Sequence, residues 1–134
     1  MNEQTQLLLN LIKENPDLPV VPMVDYDVVG DGYGRWLGSF GNCYVGEYTD
    51  YDERFYDDRE EFEERYYNNN DKELENKFNY NPRITEYSVE IGKRTKEEYE
   101  ENCKNENLLN EYLHTISDKY FKKAIIVNID LPKD

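Results

Sequence analysis

Near the N-terminus, apolar positions recur at helical spacing. Within E-Q-T-Q-L-L-L-N-L-I-K-E (residues 3–14), Leu8, Leu11 and Ile12 share one face, which Leu7 and Leu9 widen. The pattern predicts a short amphipathic helix packed closely on a core. Pro16 stops it, and Pro19 and Pro22 bracket Val20-Val21. Proline cannot donate to a strand ladder, so the segment through Met23-Val24 reads as an edge strand or an extended lead-in. The pattern then becomes strand-like. Arg35–Phe40 and Cys43–Tyr48 read as two strands joined by a tight turn at Gly41-Asn42, with Trp36 and Phe40 on one face and Gly38 leaving room between them. A third strand is expected from Glu53 to Tyr56.

Beyond that point the pattern turns helical. Asp58 followed by Glu61 has the form of an N-cap with a reciprocal acid, opening a helix over 59–68 with Phe62, Arg65 and Tyr66 inward. Asn68-Asn69-Asn70 ends it, and residues 69–83 read as a polar loop with one helical turn around Leu74. Ile84–Ile91 alternates, with Tyr87, Val89 and Ile91 on one face, and reads as a half-buried strand. Thr95-Lys-Glu-Glu98 is a second capping box. It opens the longest helix, over 96–120, whose apolar face carries Tyr99, Cys103, Leu109, Tyr112, Leu113, Ile116 and Tyr120. Ala124–Ile129 is a β-branched apolar run suited to a central strand. The expectation is a single α+β domain over 1–134: an antiparallel sheet of about four to five strands, shorter flanking helices and a long C-terminal helix.

Composition changes this picture in one respect. The 134 residues carry 30 acids against 16 bases, a net charge of −14, and the mean hydropathy is −1.02. Charge of that order suggests disorder, but 13 Tyr, 5 Phe and one Trp supply the aromatic mass of a folded core. The expected product is a folded domain with a negative skin. Such a surface repels nucleic acid and attracts basic proteins. Met1–Lys13 lacks the basic and apolar regions of a secretory signal, and no apolar run reaches the roughly 18 residues of a membrane span. Cys43 and Cys103, 60 positions apart, are too few for a disulfide framework or a zinc site and fit a reducing cytosol.

Candidate chemistry is sparse. After Gly32 and Gly34 a phosphate-binding G-x-G-x-x-G needs glycine where Leu37 stands, and no Gly-Lys-Ser/Thr follows, so the glycine cluster reads as turn chemistry. Asp25-x-Asp27 starts like a calcium loop but meets Val29 and Trp36 at ligand positions, and Asp50-x-Asp52 meets Arg54. His114, the one histidine, lies eleven residues after Cys103 on the same helix, some 16 Å away. Carboxylate pairs are too abundant to single out acid–base catalysis. No catalytic residue, metal ligand or cofactor is expected, and the chain does not read as an enzyme.

What remains is the stretch E-Y-T-D-Y-D-E-R-F-Y-D-D-R-E-E-F-E-E, residues 47–64, in which ten of eighteen residues are carboxylates opposed only by Arg54 and Arg59. Phosphates of one nucleic-acid strand repeat at roughly 6–7 Å. Residues i and i+2 on a strand stand about 6.6 Å apart, and i and i+4 on a helix about 6 Å. Asp50 and Asp52 sit at the first spacing; Asp57 and Glu61, and Glu60 and Glu64, sit at the second. Glu47, Asp50, Asp52, Glu53, Asp57, Asp58, Glu60, Glu61 and Glu64 are therefore candidate phosphate stand-ins for a basic groove. Tyr48, Tyr51 and Tyr56, with Phe55, Tyr66 and Tyr67, are candidate anchors, since tyrosine contributes contact area at low entropy cost.

A small, acidic, Tyr/Asn/Glu-rich α+β chain with no catalytic motif resembles the accessory proteins of phages and prophages of low-GC bacteria. It is similar in kind to anti-CRISPR inhibitors, several of which mimic nucleic acid. The likeness covers composition and charge pattern over the whole chain, with V-P-M-V-D at 21–25 and the G-x-x-x-W-L-G run ending at Gly38 as its local features. It implies a cytoplasmic protein of the bacterial host cell that inhibits a phage-defence nuclease, such as an RNA-guided Cas nuclease, by occupying its nucleic-acid groove. A rival of a different class is a protein that binds or sequesters a small ligand such as a nucleotide, using the glycine-rich hairpin and Trp36 as a stacking platform.

Overall fold

A computed structural model describes residues 2–25, 28, 35 and 37–132. They form two compact units, one from Met1–Asp57 with Phe121–Asp134, the other from Asp58–Tyr120. The class is α+β, as read from the sequence.

The first unit holds α1 (Glu3–Glu14), β1 (Val20–Val24), β2 (Ser39–Tyr51), β3 (Arg54–Tyr56) and β4 (Lys122–Asp130). Helix α1 has the expected bounds because its start is capped: Asn2 Oδ1 accepts from the Thr5 amide at 2.8 Å. The strand order is β1-β4-β2-β3. β4 is central and its Ala124–Val127 is buried, as a continuous apolar run requires. Leu8 and Leu11 of α1, with Leu18, Val45 and Ile129, pack on Cys43, Ile125 and Val127. The sheet is mixed rather than wholly antiparallel, since β1 runs parallel to β4. β1 is an edge, and its hydrogen bonds show how it tolerates proline. Ile125 N–H donates to the Pro19 carbonyl at 2.9 Å and Asp25 N–H to the Ile129 carbonyl at 2.8 Å. Odd positions therefore turn their backbone groups to β4, and Pro22, at an even position, turns its missing donor away from it.

The expected turn at Gly41-Asn42 is not a turn. Residues 39–40 and 43–48 both pair with β4, so β2 is one strand with an irregularity between Phe40 and Cys43. A Cβ at Gly41 would stand 2.1 Å from Oδ2 of Asp130, so a larger residue there would have to push that carboxylate aside. Gly38 does make room for a neighbour, which is Ile129; Trp36, expected beside it, lies outside the described residues. The hairpin falls later, between β2 and β3, with Tyr51 opposite Arg54.

The second unit holds α2 (Arg59–Asn69), α3 (Asp71–Phe78), α4 (Glu86–Glu90) and α5 (Lys96–Tyr120). α2 and α5 start where their caps predict. Asp58 accepts from the Glu60 amide at 2.9 Å, and Thr95 and Glu98 form both bonds of a capping box at 3.1 Å. Two expectations fail. Residues 71–78 form a helix of two turns rather than one, closed by left-handed Asn79 (φ +53°) with Tyr80 N–H on the Glu75 carbonyl. Ile84–Ile91 is helical rather than extended over Glu86–Glu90: Thr85 and Ser88 cap each other, and Gly92 (φ +74°) closes the C-terminus. A few alternating residues cannot separate a period of 2 from one of 3.6, and the caps decide. Asn102 of α5, buried, holds the connection between α3 and α4. It accepts from Asn81 N–H at 2.9 Å and donates to the Asn81 carbonyl at 2.8 Å. The core is Leu74, Leu109 and Leu113, surrounded by Tyr66, Tyr67, Phe78, Tyr80 and Tyr112.

Candidate binding surface

The division between the units falls between Asp57 and Asp58, so the acidic stretch contributes to each separately. In the first unit it runs through β2, the hairpin and β3. Alternation sorts it. Thr49 and Tyr56 face inward, Tyr56 with 2 % of its surface exposed, and the Arg54 guanidinium lies 5.1 Å from the Tyr56 ring centre. Tyr56 is thus a core residue and not a contact anchor, because the strand register places it opposite buried Thr49. Tyr48 is half-buried and stacks on Phe55, with ring centres 5.6 Å apart; Tyr51 is half-buried as well. Asp50, Asp52, Glu53 and Asp57 are exposed, while Glu47 is half-buried opposite Lys123.

Asp52 and Glu53 occupy the two central positions of the hairpin turn with φ of +55° and +62°. Such a turn favours Asn-Gly, because left-handed backbone is costly for residues with a Cβ. Here it presents two acids at the tip. The same turn removes Asp52 from strand geometry, so Asp50 and Asp52 do not share a strand-pitch row. Asp57 precedes the N-cap of α2, and therefore Asp57 and Glu61 are not one helical turn apart either. Only Glu60 and Glu64 keep the expected pitch, both exposed and both within α2.

In the second unit Asp58, Glu60, Glu61 and Glu64 are exposed. Glu63, the acid of the stretch left out of the candidate set, is buried. It accepts from the Ser117 hydroxyl at 2.6 Å and pairs with Nδ1 of His114 at 2.8 Å. His114 and Ser117 stand three apart on α5, so this pairing needs only that face to meet α2.

Glu60 and Glu64 form the rim of a cleft of about 390 Å³ lined also by Glu63, Tyr67, Tyr80, Pro82, Glu106, Leu109, Asn110 and Leu113. Leu109 and Leu113 give it an apolar floor. Tyr80 donates its hydroxyl to Oε2 of Glu106 at 2.7 Å. Burial first, and then the Glu106 carboxylate, push the Tyr80 phenol far above its ordinary range. Burial and the Glu75 carboxylate raise Tyr67 in the same way. Both phenols therefore stay protonated, and no Lys, Arg or His is among the lining residues. Sequence reasoning missed this cleft apart from Glu60 and Glu64. The remaining signal was the i, i+4, i+7 row Glu106, Asn110, Leu113 on α5, which says nothing alone about a concavity.

The Cys43 thiol offers no rival site. Cys43 is buried, and burial pushes its pKa up, away from the reactive thiolate. Among the described residues no group of three His, Cys, Asp or Glu is placed to hold a metal ion. The glycine-rich segment around Gly30, Gly32, Gly34 and Trp36 lies outside the described residues. No described helix is long and apolar enough to cross a membrane. Comparisons with protein-family models, with curated proteins and with solved structures gave no match.

Proposed function

We propose that the chain is an acidic binding protein, an inhibitor that occupies the basic nucleic-acid groove of a partner protein. One observation carries the reading. The stretch from Asp50 to Glu64 partitions, with eight candidate acids in water and its aromatics largely inward: Tyr56 and Phe62 are 2 % and 0 % exposed. A chain needing these acids only for solubility could scatter them. Here like charges are crowded at a strained turn and on one helix, a repulsion that a positively charged partner relieves. With Tyr56 buried and Tyr48 and Tyr51 half-buried, the weight of the reading shifts from aromatic anchoring to charge. The anti-CRISPR-like composition points to a phage-defence nuclease of the RNA-guided kind, and so to the bacterial cytoplasm.

The test is binding to such a nuclease across a salt series. Affinity is expected to fall steeply with ionic strength, as charge-steered association does. It is also expected to collapse when Asp50, Asp52, Glu53, Asp57, Asp58, Glu60, Glu61 and Glu64 are changed together to Asn or Gln. Undiminished capture by that neutralised variant would overturn the mimicry.

A further inference from the structure

The cleft rimmed by Glu60 and Glu64 differs from a wet acidic face in having a volume and a floor. It holds about 390 Å³, within the range of small-ligand sites. Its floor is the pair Leu109 and Leu113, which belong to the core of the second unit. Its walls are two phenol rings and four glutamates. Glu63 is already satisfied by Ser117 and His114, and Glu106 has one oxygen engaged by Tyr80. Glu60 and Glu64 have no hydrogen-bond or ion-pair partner for their carboxylates among the described residues. The cleft thus has acceptors to spare and no cation of its own. Its tyrosines cannot relieve the charge by adding protons, and they already donate to carboxylates.

We infer that this cleft receives an arginine side chain of the basic partner. The inference rests on the binding function proposed above and names the group that the second unit takes. Three features select this occupant. The methylene stem of arginine suits the leucine floor. The planar guanidinium suits phenol faces as well as charge, which a compact ammonium exploits less well. Its forked donors match carboxylates on two sides, with Glu60 and Glu64 one helical turn apart on α2 and Glu106 on α5. An anionic ligand would be opposed by the acids, and a neutral one would leave their charge uncompensated.

The test uses the full chain with labelled leucine methyl and backbone amide groups, titrated at low salt with arginine, lysine and citrulline nonapeptides. The arginine peptide is expected to shift the Leu109 and Leu113 methyl resonances to saturation. The lysine peptide should bind several-fold more weakly, and the citrulline peptide should leave the methyls unmoved. Glu60→Gln/Glu64→Gln, on an exposed helix face, should weaken the arginine response at least about tenfold, as loss of two charge-assisted contacts implies. Glu106→Gln, which keeps an acceptor for Tyr80, should weaken it as well. Shifts confined to the Asp52 and Glu53 amides would overturn the cleft assignment and leave the acidic-surface function standing. Equal response to arginine and citrulline would also overturn it, and equal response to lysine would overturn the choice of arginine. Silence throughout the chain would overturn both the cleft and the binding function.

Discussion

Ser117 donates its hydroxyl to Glu63 at 2.6 Å in the buried seam where α5 meets α2. Ser117 has no exposed surface, and the second carboxylate oxygen of Glu63 is held by His114. A carboxylate removed from water in this way depends on its donors, because an unmet buried acceptor costs more than a met one contributes. Ser117→Ala is therefore expected to destabilise the fold by about 1–3 kcal/mol. Urea unfolding reads it as a lower midpoint at unchanged slope. A variant as stable as the parent would mean that water replaces the hydroxyl and that the seam is open.

The hairpin tip separates stability from binding. Asp52 and Glu53 hold left-handed backbone that glycine adopts without strain. Asp52→Asn/Glu53→Gly supplies the residues this turn prefers and is expected to stabilise the chain by up to about 1 kcal/mol, read as a rise in melting temperature. The same change removes two exposed acids, so affinity for a basic partner should fall. A more stable variant that binds equally well would remove the tip from the binding surface.

Acid should loosen the start of α5. Glu98 is held below the usual carboxylate range chiefly by the Thr95 amide and then by Arg94. A depressed folded value means that the contribution is complete above the unfolded value, near 4.3, and is lost as pH falls through the folded one. Glu98→Ala, which removes the carboxylate that the Thr95 amide holds, is expected to lower stability at neutral pH. The difference from the parent should shrink as the solution is acidified through the carboxylate range. A difference constant down to strong acid would show that the charge of Glu98 contributes nothing.

Local chemistry explains what could be read in advance. α1 and α5 were legible because each has a periodic apolar face, and Thr95 also announced the start of α5; the Asn2 cap of α1 emerged only in the structure. β1 was legible as an edge because Pro22 leaves no other place for it. The errors share a cause as well. Gly41-Asn42 has the composition of a turn, yet it lies inside β2, with the Asp130 carboxylate packed close against Gly41. The Asp52-Glu53 turn has no glycine to announce it. Ser88 looked like the polar face of a strand, although it is buried and bonded to Thr85.

The candidate surface divides along the same line. By itself the chain determined the charge, its concentration between Glu47 and Glu64 and the one-turn spacing of Glu60 and Glu64, because these depend on residues near one another in sequence. Tertiary structure decided which members point outward. It buried Tyr56 opposite Thr49, turned Asp52 out of its row and matched Glu63 with Ser117, 54 positions away. It also brought Glu60 and Glu64 of α2 to the same cleft as Glu106 of α5. A concavity is a relation between helices, set by how their faces pack, and no spacing along one chain segment encodes it.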